Sequence, residues 1–137
     1  MHVQAYLSFN GRCEEAVRFY QDAIGAEVEL LVRHKDSPQP APPGMLPPGS
    51  DDKIMHVSLR IGESTVMATD GRCAGTTSFE GFSLSLMAAS AEAADHAFTG
   101  LADGGRVTMP LTKTFWSPRF GMLVDRFGVS WMVQVPP

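Results

Sequence analysis

One order of hydrophobic periodicities runs through this chain twice. Val3, Ala5, Leu7 and Phe9 alternate with Gln4, Tyr6 and Ser8, the period of a strand with one apolar face. Asn10-Gly11 breaks that strand and is positioned to cap a helix. Apolar residues then fall at Cys13, Ala16, Val17, Tyr20 and Ile24, a single helical stripe, and Gly25 is placed to end it in the left-handed conformation. Val28, Leu30 and Val32 predict a second strand. Met55, Val57, Leu59 and Ile61 alternate with His56, Ser58 and Arg60, turn at Gly62-Glu63-Ser64, and return over residues 65–69 as a hairpin. After a glycine-rich connector over 70–81 the order restarts. Phe82, Leu84 and Leu86 alternate with Ser83, Ser85 and Met87. Ser90 caps a helix with Glu92 in its first turn, and Ala94, Ala97, Phe98 and Leu101 form its stripe. Gly104-Gly105 ends it. Residues 106–109 read as a short strand stopped by Pro110, and residues 119–125 and 129–135 as a last hairpin around Phe127-Gly128.

The order is β-α-β-β-β, a connector, then β-α-β-β-β. It predicts an α+β chain of two βαβββ modules, one over about 1–70 and the other over about 80–137, within one domain. Each module leaves one sheet face uncovered, and two curved sheets can enclose a cleft. Pro38, Pro40, Pro42, Pro43, Pro47 and Pro48 exclude a helix or central strand over 38–48. The expectation there is a solvated connector stiffened toward polyproline geometry, with a lid or a dimer contact as the functional alternative.

Eleven Lys and Arg against fifteen Asp and Glu leave a net charge of −4, which argues against a phosphate-backbone binder and hence against a nucleic-acid partner. Two cysteines, Cys13 and Cys73, make no disulfide framework. No charged segment followed by an apolar run opens the chain, and no apolar stretch reaches the ~18 residues of a membrane span. The expected setting is the cytoplasm, away from membranes.

The motifs resemble those of the vicinal-oxygen-chelate superfamily (glyoxalase I, bleomycin-resistance proteins, extradiol dioxygenases), and within it the PhnB-like branch. The residues that carry this are Tyr6-Leu7-Ser8-Phe9-Asn10-Gly11, Glu14-Glu15-Ala16 and Phe19-Tyr20 in the first half. Met55-His56 and Leu59-Arg60-Ile61-Gly62 follow, then Thr114-Phe115-Trp116, Arg119-Phe120-Gly121-Met122 and Asp125-Arg126-Phe127-Gly128-Val129 through Trp131. The resemblance implies paired βαβββ modules with curved mixed sheets around a cleft, and a homodimer. Some members of the branch carry a methyltransferase label. No glycine-rich nucleotide loop follows the first strand here.

Metal-using members of the superfamily resemble one another in four ligand positions, which fall here on Ala5, His56, Phe82 and Met132. Ala and Phe have no donor atom, and a Met thioether suits hard or borderline divalent ions poorly. A one-residue slip in the first strand substitutes Gln4 for Ala5, leaving Gln4 and His56 as the only metal candidates. No cofactor is expected. His56 reads either as a hydrogen-bonded cleft histidine or as a general acid or base. Phe115, Trp116 and Arg119 suit a planar or anionic ligand; otherwise the two rings plug the cleft and Arg119 pairs with a carboxylate such as Asp125. Asp125 and Gly128 read as turn-formers. Cys13 stands where a helix dipole lowers a thiol pKa, yet no histidine is placed beside it, and a small buried cysteine is the simpler reading. No nucleophile-elbow pattern appears.

Three functions remain open. The first is a small-molecule binder that takes an apolar or aromatic anionic ligand without metal, lined by Tyr6, His56, Phe82, Trp116, Arg119 and Met132. The second is a metal-dependent glyoxalase-type lyase or dioxygenase. The third is a non-catalytic structural or regulatory dimer.

Overall fold

Both periodicity runs fold into a helix laid on one face of a four-stranded mixed sheet. The computed structural model describes residues 1–137 and divides them into two units, 1–77 and 78–137. The architecture is α+β, one βαβββ module per unit.

The first unit runs β1 (Tyr6–Ser8), α1 (Cys13–Ile24), β2 (Glu27–Arg33), β3 (Ile54–Ile61) and β4 (Ser64–Thr69). Its sheet has the order β1-β4-β3-β2, with β1 parallel to β4 and the remaining pairs antiparallel. The stripe of α1 buries Cys13, Ala16, Val17 and Tyr20 together with Phe19 and Ala23. These residues join Leu7, Phe9, Val57, Leu59 and Ala68 in the core. Gly25 ends the helix at φ 66°, donating its N–H to Gln21. β1 is shorter than the alternation predicts, and Val3 is fully exposed.

The cap of α1 differs from expectation. Asn10-Gly11 supplies no side-chain cap; Asp70, far along the chain, does. Its Oδ1 accepts from the backbone N–H of Gly11 (2.9 Å) and Cys13 (2.8 Å), and its Oδ2 from Ile54 N–H (2.7 Å). The carboxylate is 1% exposed. It satisfies amides at the helix N-terminus, where the dipole favours negative charge, and ties α1 to β3.

The proline segment is not a polyproline rod. Met45 N–H donates to Pro42 O (3.1 Å) around Pro43-Gly44, with Gly44 at φ 81°. Ser50 Oγ donates to Pro47 O (2.7 Å) around Pro48-Gly49, with Gly49 at φ 85°. Proline followed by a left-handed glycine is the composition of a type II turn, and the Pro-Pro-Gly unit occurs here twice. The segment's ends are tied together. His34 N–H donates to Lys53 O (3.0 Å), Lys35 N–H to Asp51 O (3.0 Å), and Arg33 grips Glu14 on α1 through both nitrogens (3.3 and 2.7 Å). That hydrogen-bonded guanidinium lowers the Glu14 carboxyl pKa.

The second unit runs β5 (Leu84–Met87), α2 (Ala91–Ala102), β6 (Arg106–Thr112), β7 (Phe120–Val124) and β8 (Ser130–Gln134), in the sheet order β5-β8-β7-β6. Ser90 Oγ accepts from Ala93 N–H (3.1 Å), the local cap read from the sequence. Ala94, Ala97, Phe98 and Leu101 are buried as the stripe predicts. Pro110 does not stop β6, which continues to Thr112. As an edge strand with register shifts on both sides of Met109, it tolerates a residue that cannot donate to the ladder. Asp125 Oδ1 accepts from Phe127 N–H (2.9 Å) and Val129 N–H (3.1 Å) around Gly128 at φ 91°, as expected of a turn-former. Its Oδ2 also accepts from Trp131 Nε1 (2.9 Å).

Candidate functional site

In the first unit, strand alternation sorts two faces. Leu7, Ala68 and Val57 stand in register on the buried face. Tyr6, Met67 and Ser58 stand in register on the other, with Leu30 opposite Ser58 and Val32 opposite His56. His56 is half-buried there. Its Nε2 lies 3.1 Å from Ser58 Oγ, and its ring centroid 6.0 Å from that of Tyr6. The result is an imidazole, a hydroxyl and a phenol among Leu30, Val32 and Met67. Gln4 lies two residues before Tyr6 and shares its parity; Ala5 shares that of Leu7.

In the second unit, Gly121 faces α2: a Cβ there would meet Phe98. Phe120, Met122 and Val124 therefore take the opposite face, with Met132 in register with Met122 and with Ser85. Trp116 lies edge-on against Phe120 (5.3 Å) and against the fully exposed Phe115 (4.7 Å). Their turn is held by Ser117. Its N–H donates to Thr114 Oγ1 (3.1 Å), and its Oγ bonds the carbonyls of Arg119 (2.7 Å) and Val135 (2.6 Å). Phe82 is exposed and stands outside β5, on the parity of Leu84. Arg119 pairs with Asp95 on α2, through Nε (2.8 Å) and a terminal nitrogen (2.7 Å), and not with Asp125, which is occupied by its own turn and Trp131.

The structure thus brings Tyr6 and His56 together in one unit. In the other it sets Trp116 on Phe120, on the face that carries Met132. Ser58 escaped the sequence reading, although its place two residues after His56 on a strand put it on the same face. Asp95 and Asp70 gave no local signal.

The donors do not fit the divalent ion of the superfamily's metal enzymes. His56 and Gln4 are the donors near the first-unit positions, Phe82 and Met132 stand at the second-unit ones, and nowhere do three or more His, Cys, Asp or Glu cluster to hold a metal. The Cys13 thiol does not suit a nucleophile either. Cys13 is fully buried, and burial, then Asp70 and Glu14, push its pKa to about 12, outweighing the helix dipole. Both thiols are free, and Cys73 is half-exposed. Ellman's reagent at mildly alkaline pH is expected to titrate Cys73 alone in the native protein and both thiols in guanidinium chloride. Two fast native thiols would contradict the buried placement of Cys13.

A family model described as 3-demethylubiquinone-9 3-methyltransferase matches residues 1–134. The PhnB protein of Bacillus cereus has a solved structure that covers 98% of this chain and 99% of its own, at 26% identity and TM-score 0.79. This chain belongs to the PhnB-like family. The Escherichia coli protein YjdN is 37% identical to this PhnB-like chain, over 98% of the chain and 95% of YjdN. The crystal structure of PA1353 from Pseudomonas aeruginosa is similar at 39% identity and TM-score 0.84, over 99% and 98% of the two chains. Glyoxalase and bleomycin-resistance structures below 25% identity, with TM-scores of 0.63 and 0.64, share the fold with this PhnB-like chain.

Proposed function

We propose that this PhnB-like chain binds a small apolar or aromatic anionic molecule, without a metal ion, on sheet faces turned away from its helices. The observation that carries the reading is the Tyr6–His56–Ser58 group among Leu30, Val32 and Met67: a few convergent hydrogen-bonding groups in apolar surroundings suit a small-molecule site. Trp116 and Met132 in the second unit are further ligand contacts in this reading. Arg119, neutralised by Asp95, serves an anion less than the sequence implied. Methyl transfer from a nucleotide donor gains no support from the turn after β1, where the N–H groups of Gly11 and Cys13 that would receive an anion are taken by Asp70. A glyoxalase-type lyase or dioxygenase gains no support from Ala5, Phe82 and Met132, which stand at three of the four positions where the resemblance puts its ligands.

Two free cysteines suit the cytoplasm, and the family resemblance supports a homodimer. No helix is long and apolar enough to cross a membrane.

The test is thermal unfolding with a panel of benzoates, hydroxybenzoates and naphthalene sulfonates. A ligand at a hundred times its Kd adds about 2.7 kcal/mol of stability, which raises Tm by several degrees. The expected result is such a rise, lost in Tyr6→Ala and His56→Ala proteins that still fold. A flat response across the panel at millimolar concentration removes the proposal.

A further inference from the structure

Three methionines stand in one row across three neighbouring strands of the second unit. Met109 on β6 is in register with Met122 on β7, and Met122 with Met132 on β8. All three are half-buried. Regular pairing would not produce this row. Val107 is opposite Leu123, so an unbroken ladder would set Met109 opposite Gly121, on the side of α2. The bulge between Val107 and Met109 moves the strand by one residue and brings Met109 opposite Met122 instead.

We infer that Met109, Met122 and Met132 form a thioether site for a soft monovalent cation, copper(I). Side chains in register on adjacent strands have Cβ atoms about 5 Å apart. Each sulfur stands two bonds farther out on a flexible, unbranched stem, so the two outer thioethers can lean toward that of Met122 and converge on one ion. Three neutral, polarizable sulfurs with no carboxylate or imidazole cluster select copper(I) over zinc or magnesium. The row on one side holds Phe120, met edge-on by Trp116, between Thr112 and Gln134; the row on the other holds Arg106, Val124 and Ser130; and Ser85 stands beside Met132, so no carboxylate or imidazole in these rows competes with the sulfurs for the ion. The inference uses one row of one unit and does not depend on the ligand proposed above. It goes beyond that reading, whose ligand is held without a metal ion and shares only Met132 with this row.

The test uses the full chain carrying Cys73→Ser, which removes the accessible thiol and leaves only the buried Cys13. Copper(I) is offered anaerobically in competition with the chromophoric chelator bicinchoninate. The expected result is withdrawal of one equivalent per chain, and a drop in affinity with Met122→Leu, a volume-conserving change. Losing a ligand weakens binding at least as much as losing a group that supports one, about 10- to 100-fold. A second measurement does not depend on that variant folding. With methyl-labelled methionine, silver(I), an air-stable probe of the same softness, is expected to shift the Met109, Met122 and Met132 methyl resonances together while those of the exposed Met45 and Met87 stay fixed. No copper withdrawn from the chelator, equal binding by Met122→Leu, or silver shifts confined to other residues would each overturn the site.

Discussion

Asp70→Ala is expected to destabilise the first unit by about 4 kcal/mol, since each buried donor left unsatisfied costs about 1–3 kcal/mol. The donors are the N–H groups of Gly11, Cys13 and Ile54, all held by this one carboxylate. At 1% exposure, no water replaces it without rearrangement. For a chain of this size the loss corresponds to a fall in Tm of roughly 15 °C. Asp70→Asn separates the contributions. One amide oxygen can still accept from Gly11 and Cys13, but the amide nitrogen then faces Ile54 N–H, and about half the loss remains. Urea unfolding followed by circular dichroism measures both, and hydrogen exchange at the three amides locates the effect. A loss below about 1 kcal/mol for Asp70→Ala would mean that the freed amides find other partners.

Gly105→Ala is expected to destabilise the second unit by about 3 kcal/mol through overpacking against backbone. A Cβ on Gly105 would lie 2.9 Å from both Cα and C of Asp125 and nearer still to the Val124 carbonyl oxygen. None of these is the yielding end of a side chain. The Asp125 turn cannot swing aside without breaking its bonds to Phe127, Val129 and Trp131. Gly25→Ala is the matched control. At φ 66° a Cβ there meets nothing within 4 Å, so only left-handed strain remains, about 1 kcal/mol. If Gly105→Ala proves the milder of the two, the close approach of residue 105 to the end of β7 is not the constraint described.

Much of the fold was legible in the residues because its signals are local. The stripe of α2 and its cap at Ser90 involve groups three and four residues apart, and both were readable. The turn at Asp125 and Gly128 was readable for the same reason. Pro110 misled because proline's missing N–H matters only inside a sheet, and alternation does not say which strand lies at the edge. The proline segment departs from polyproline geometry because the position of proline, and not its count, sets the local conformation: Pro-Pro-Gly, occurring twice, encodes turns. Of the candidate site, His56 and Tyr6 were legible from alternation, and Ser58 was within reach of the same argument. Arg119 was not, since its partner Asp95 sits on a helix 24 residues earlier and nothing in the intervening chain names it.

What the amino-acid sequence settled was the character of each segment: which stretches are strands, which are helices, which face of each is apolar, and that the set occurs twice. Those properties arise from side-chain period and from contacts between near neighbours, which every segment carries wherever it lies. Only the tertiary structure decided which distant groups meet. It put the Asp70 carboxylate on a helix 57 residues away, turned Arg119 toward Asp95, and used a bulge to bring Met109 level with Met122. Such pairings depend on how strands order in the sheet and where the ladder slips by a residue, and a slip of one residue exchanges the faces without altering the pattern from which the strand was read.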